Sequence, residues 1–302
     1  MLPHWTVERN VWLVPRKCPG SIVHMWIVST DSVSSPATAI ALGKLGAAGV
    51  LHLEGLWARY ADPEPVLDEI ASLPEGKATP RLQEIYAEPI DPDLIGQRIA
   101  EVKAAGVTCA VAVAPHRALE LADAVLRAEP DLLVIQATIV SAEHVARTVE
   151  PLNLKAFIRH YELPVIVGDC TSYQAALHLM RTGAAGVLVG AGSGAAAIAR
   201  QVLGVGSPLA TALADARAAR LRHLEETGVY CRVIADGGVD TGGGVRTCVR
   251  GGDVVLVTDL ADELLEDVLL GDEAERHVEL VLDDRHVQER VLHVGEQRQD
   301  GF

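Results

Sequence analysis

The chain has 302 residues, 49% hydrophobic and 4% aromatic, and carries a formal net charge of -15 at pH 7. That length buries a large core, and few aromatics among abundant Ala, Val, Leu and Gly suit buried parallel strands covered by helices. The negative field repels nucleic-acid backbones, no apolar window reaches the roughly 18 residues of a membrane helix, and the dispersed Cys18, Cys109, Cys170, Cys231 and Cys248 form no CxxC pair. Reduced thiols and no metal site are expected. The opening MLPHWTVERN lacks a basic stretch followed by an apolar segment, so a cytoplasmic protein is expected.

Residues 1–20, containing NVWLVPRK, read as a short hairpin or plug. From 21 to 270, β-branched runs recur, ending near Thr30, Glu54, Pro115, Thr138, Cys170, Gly192, Gly238 and Asp259. Helical patterns separate them, among them SPATAIALGKLGAAG, DPDLIGQRIAEVKAAG, HRALELADAVLRAEP, SAEHVARTVEPLNLKAFIRHY and TSYQAALHLMRTGAAG. Asp91, Ser141 and Thr171 are expected N-caps, and Gly49, Gly106 and Gly183 expected stops. Near-continuous apolar strands alternating with helices predict a single-domain TIM (β/α)8 barrel, with an open doubly wound sheet as the competing topology. Its working face would be the carboxyl ends of the strands. The acidic tail 271–302 reads as a hairpin, an arm exchanged between subunits, or a solvated end.

Chemistry concentrates where strands end. CRVIADGGV delivers Asp236, Gly237 and Gly238, a carboxylate followed by backbone without side chains, which suits a sugar diol beside an anionic group. In GVLVGAGSGAAAIAR, the loop Gly192, Ser193 and Gly194 precedes a helical segment and can bring backbone amides to an anion, although such turns are also ordinary tight connections. Asp169 and Cys170 end the fifth strand, and a helix opening at Thr171 could lower the thiol's pKa and make Cys170 a nucleophile. Packing as a small hydrophobe is the simpler role for Cys170. Glu54, Trp57, Arg59 and Tyr60 could stack a heterocycle and bind an acidic group, or else pack and solvate. His116 falls near the working face. No histidine pairs with a carboxylate at metal-ligand spacing.

TDSVSSPATAIALGKLGAAGVLHLEG, PVIVGDC, GAAGVLVGAGSG and VIADGG together resemble the inosine-monophosphate dehydrogenase and GMP reductase family, over about three-quarters of the chain. LEGLWARYADPEP, EPLNLKAFI and ALHLMRTGAAGVLVG are most similar to its short dehydrogenase-related paralogues without the inserted regulatory domain. The resemblance implies a barrel, a hydride exchanged at a purine ring, NAD or NADP as cofactor, and assembly into tetramers or larger rings. It also implies that Asp31 and Ser29 flank the bound ring, that Ser193 contacts phosphate and that Asp236 holds ribose hydroxyls. Three departures stand out. Ala195 occupies the position of the family's loop cysteine, Thr258 and Asp259 replace a glycine-serine pair, and the stretch Gln136 to Thr138 lacks the family's cofactor-contacting aspartate. Asp259 would repel a phosphate by about 4 kcal/mol at about 4 Å in an effective dielectric near 20.

The expected function is therefore an NAD(P)-dependent oxidoreductase acting on a purine or purine-analogue nucleotide or nucleoside. A non-catalytic relative binding a nucleotide or a partner is the alternative, and a lyase or isomerase working through Asp169 and Asp236 is a third. Expected partners are a small purine-like molecule and further copies of the chain, with no nucleic acid and no membrane.

Overall fold

The computed structural model describes residues 24–27, 34–44, 47–74, 78–142, 152–161, 163–191, 202, 204, 206–237 and 254–257, with 24–27 and 254–257 described as backbone alone. The eight strands are β1 (His24–Ile27), β2 (Ala48–His52), β3 (Ala110–Val113), β4 (Leu132–Gln136), β5 (Val165–Cys170), β6 (Gly186–Val189), β7 (Arg232–Asp236) and β8 (Val254–Val257). All pairs are parallel and in chain order, and β8 pairs with β1, closing the sheet into a barrel. The eight expected strand positions are thus all occupied. Parallel neighbours need long crossovers, which is why a helix lies between each successive pair from β1 to β7.

These helices are α1 (Pro36–Lys44), α2 (Glu64–Ser72), α3 (Ala78–Ile85), α4 (Pro92–Ala104), α5 (Ala118–Ala128), α6 (Leu154–His160), α7 (Tyr173–Arg181) and α8 (Leu209–Thr227). α4, α6 and α7 start on side-chain caps, whereas α2, α5 and α8 have none. The Asp91 carboxylate accepts from Asp93 N at 2.8 Å, and Asn153 accepts from Ala156 N at 3.0 Å. The α7 cap is Ser172, whose hydroxyl accepts from Ala175 N at 3.3 Å, one residue beyond the expected Thr171. Gly106 and Gly183 follow helices with φ of +72° and +99°, as expected of stops. Gly49 does not stop α1. It lies within β2, where a Cβ would run into the backbone of Ala39 on α1.

Strand periodicity builds two cores. Ala48, Ala112, Val134, Ile166, Leu188 and Ile234 belong to the cluster inside the barrel, where small residues from β2 and β3 face larger ones from β4 to β7. The alternate positions, including Val111, Leu133, Val167, Val187 and Val233, pack outward against Ile99, Leu121, Leu179 and Leu213 of the helices. Following the inner face of β4 and β7 to its end leads from Leu132 and Val134 to Gln136, and from Ile234 to Asp236. Among the described residues, no helix is long and apolar enough to cross a membrane.

Candidate functional site

Gln136, Asp169 and Asp236 meet where β4, β5 and β7 end. Gln136 Nε2 donates to Asp236 Oδ2 at 2.8 Å, joining two strands that stand three places apart in the ring. Asp169 reaches the same place because β5 changes phase. The β5–β6 register shifts between Val167 and Cys170, a strand irregularity that re-aims side chains. Asp169 consequently joins Asp236, while Cys170 packs with the outer cluster. Backbone bonds fix this turn: Asp169 N donates to Ala137 O, Ala137 N to Gly168 O and Val140 N to Asp169 O, each at 2.9 Å.

Space for the convergence comes from missing side chains. A Cβ on Gly190 would collide with the Asp236 carbonyl oxygen, and one on Gly168 would collide with Leu188. Gly237, with φ of +77°, then turns the chain sharply after Asp236.

Both carboxyls are buried, Asp169 at 8% and Asp236 at 6% exposure. Burial pushes the Asp169 carboxyl well above its ordinary range, and the charge of Asp236 and a hydrogen bond between the two carboxyls push in the same direction. The Gln136 amide opposes this in part. Asp169 Oδ1 is buried and has no hydrogen-bond partner among the described residues.

Cys170 has the opposite of nucleophile chemistry. It is 1% exposed, its Sγ donates to Leu188 O at 3.3 Å, and burial, reinforced by Asp169, pushes its thiol up to about 12. A thiol so placed does not supply the thiolate that a nucleophile needs. The expectation of Cys170 as nucleophile assumed a side chain pointing to the working face, and the register shift in β5 turns it to the helix side. Cys109, Cys170 and Cys231 are buried and form no disulfide.

The aromatic and basic residues after β2 serve the loop itself. Arg59 Nε donates to Glu54 O at 3.0 Å, Arg59 Nη1 donates to Glu88 O, and the guanidinium lies 5.7 Å from the Tyr86 ring centre. Arg98 covers Trp57 at 5.3 Å and donates to Ala61 O at 2.7 Å, while Tyr60 OH donates to Ile85 O at 2.9 Å. Glu54 accepts from Ala114 N at 2.6 Å and stands 4.0 Å from His116 Nε2, tying the ends of β2 and β3 together.

Of the expected site residues, Asp169, Asp236 and Gly237 lie at one end of the barrel. Ser29, Asp31, Gly192, Ser193, Gly194, Gly238 and Asp259 lie outside the described residues. In the sequence, Gln136 stands out only for the carboxylate it replaces. Its signal was its phase, as the polar residue that ends the inner face Leu132, Val134, Gln136 of an apolar strand. Among the described residues, no cluster of His, Cys, Asp or Glu could hold a metal ion.

A family model for the IMP dehydrogenase / GMP reductase domain matches residues 23–266. Uncharacterized oxidoreductases of Mycolicibacterium smegmatis and Mycobacterium tuberculosis are 48% and 49% identical, each over 77% of this chain and 64% of their own length. The chain therefore spans less than two-thirds of the length of these curated relatives. An inosine-5'-monophosphate dehydrogenase of Haemophilus influenzae is 35% identical over 44% of this chain and 25% of its own length. The crystal structure of an IMP dehydrogenase/GMP reductase-like protein from Corynebacterium glutamicum superposes with a TM-score of 0.71 at 41% identity, covering 78% of this chain and 62% of that one. The chain belongs to the IMP dehydrogenase / GMP reductase family.

Proposed function

We propose that this chain is an NAD- or NADP-dependent oxidoreductase that acts on a purine or purine-analogue nucleotide or nucleoside. The observation that carries this reading is the buried Asp236 carboxylate at the carboxyl end of β7, held by Gln136 and flanked by Asp169, in a chain of this family. Strand carboxyl ends are where closed α/β barrels place their chemistry. A corner of two carboxyls and one amide is rich in acceptors and fits the hydroxyls of a ribose, whether of the substrate or of a nicotinamide dinucleotide.

Asp236 accepts the sugar hydroxyls, and Gln136 orients it. Ser29 and Asp31 flank the ring, and Gly192, Ser193, Gly194, Gly237 and Gly238 shape the sugar and anion pocket. Asp259 disfavours a terminal phosphate, which points to a nucleoside or an altered phosphate position. The nicotinamide, when bound, supplies or accepts the hydride. With Ala195 in the loop, the chain has no cysteine there for a covalent intermediate, so its contribution is to hold ring and nicotinamide face to face and to exclude water. The wider reading is one complete (β/α)8 domain over 21–270 with an N-terminal hairpin or plug and a C-terminal subunit contact, assembled as a cytoplasmic homo-oligomer.

The test mixes the protein with IMP, GMP, inosine or guanosine and with NADH or NADPH, following nicotinamide absorbance and thermal stability together. Oxidation of the reduced cofactor with one of these purines, lost in Asp236→Ala, is the expected result. Stabilisation by a purine without turnover would favour the non-catalytic relative, for which the loss of the loop cysteine speaks. No response to any of them overturns the proposal.

A further inference from the structure

We propose that Ile139, held out just beyond the carboxyl end of β4, is a platform on which the planar heteroaromatic ring of a ligand rests, either the purine of the substrate or a ring of the nicotinamide cofactor. This deepens the oxidoreductase reading and rests on it, because it names the side chain that the ring meets.

The segment leaving β4 has no freedom to retract. Ala137 and Val140 are both bonded through their main chains to Gly168 and Asp169 at the end of β5, each bond 2.9 Å long, so Thr138 and Ile139 are fixed from both sides. Val140 is 4% exposed and packs in the outer core, which anchors the far side a second time. Between these anchors Ile139 is 51% exposed. Its branching at Cβ restricts χ1, so the exposed face is stiff as well as apolar.

A single exposed apolar residue is ordinary on a helix surface, and Leu119 on α5 and Leu221 on α8 are examples. Ile139 differs in its place. It follows Gln136, the inward-facing end of β4, and its loop is bonded to the main chain of Asp169, so it stands at the barrel end where this architecture places its chemistry. Loop geometry does not ask for isoleucine here: turns favour Gly, Pro, Asn, Asp and Ser, and Ile139 has no positive φ that would restrict the residue type. Thr138 is exposed beside it, and Gln136 is half-buried, so one short segment joins apolar surface to a few hydrogen-bonding groups, the mixture that ligand sites share. A ring laid on Ile139 removes apolar surface from water with little ordering, since loop and side chain are already fixed.

The test is methyl NMR of protein labelled at the isoleucine Cδ1 groups, titrated separately with inosine, nicotinamide mononucleotide and NADH, with calorimetry in parallel. Ile139→Val assigns the Ile139 signal by its disappearance. A ring face over this methyl moves its signal upfield. Such a shift with inosine places the purine there, one with nicotinamide mononucleotide places the nicotinamide, and one with NADH alone places the adenine. Ile139→Ser should weaken the responding ligand by about fivefold or more and Ile139→Val by at most about threefold, in step with the apolar surface each removes. Leu221→Ser, equally exposed at 52% but on the half of α8 that leads away from the strand carboxyl ends, should leave the affinity unchanged. Heat on binding with an Ile139 methyl that does not move upfield overturns the inference, as does an Ile139→Ser variant that binds like wild type. An Ile139→Ser variant with a smaller oligomeric mass or a lower ligand-free melting temperature overturns it too, because Ile139 is then a subunit or packing contact. No heat from any of the three ligands instead defeats the oxidoreductase reading, and the platform falls with it.

Discussion

Gln136 and Cys170 sit at the ends of neighbouring strands, and they test opposite claims about single side chains. The amide of Gln136 is a charge-assisted donor to a buried carboxylate, a class of bond whose loss costs about 1.5–3 kcal/mol. Gln136→Ala should therefore weaken inosine binding by roughly tenfold or more, as measured by calorimetry at neutral pH. Cys170 makes one weak bond, to Leu188 O, and is otherwise part of the packing between sheet and helices. Cys170→Ala should leave inosine affinity within about twofold and instead lower stability by about 1–2 kcal/mol through the small cavity it opens. A Cys170→Ala protein that folds normally yet fails to bind would return the thiol to the site.

The ends of the strands decide what the site can be, and β6 shows how closely they are packed. At Gly190 an added methyl group meets the Asp236 carbonyl oxygen, a backbone atom that cannot rotate away. Gly190→Ala should destabilise the protein by about 2 kcal/mol or more, the cost of overpacking against rigid backbone, read as a lower urea midpoint with unchanged slope. If the variant unfolds at the wild-type midpoint, β6 and β7 do not approach as closely as described. The same closeness explains what could be read beforehand. Apolar runs and capping residues located all eight strands and the helices α1, α4, α5 and α7, because each signal is local. Asp236 was legible for the same reason, a carboxylate ending an apolar strand. Asp169 was legible as a residue at the right place, whereas the direction of Cys170 was not: extrapolating the period of two through β5 sends Cys170 inward, and the register shift that reverses it depends on contacts with β6. The helices α2 and α3 are not among the expected helical patterns, since α2 has no buried residue and α3 buries only Ile85, leaving no deep apolar stripe to read.

For the whole molecule, proton uptake couples groups that never touch. Asp169 has a raised pKa in the folded state, so the folded protein holds this proton when the unfolded chain has released it; its contribution to stability is complete below the ordinary carboxylate range and fades as pH rises through the raised value. His223 on α8 runs the other way. It is 5% exposed, its Nδ1 has no partner among the described residues, and burial holds its pKa below 6.5. The unfolded chain therefore takes up this proton first, and stability is lost as pH falls from 6.5 toward the depressed value. A net charge of -15 and an isoelectric point near 5.1 add a third influence, because acidification relieves self-repulsion across the whole surface. The global charge is nearly the same in wild type and in His223→Gln, so a comparison of the two cancels it and isolates the histidine. The urea midpoint of His223→Gln should gain on that of wild type as pH is lowered from about 7.5 to about 5.5, and the difference should level off once the folded histidine also protonates. A difference that stays constant across this interval would mean that His223 is solvated in the folded protein, and that α8 does not seal the barrel wall where it packs on β7.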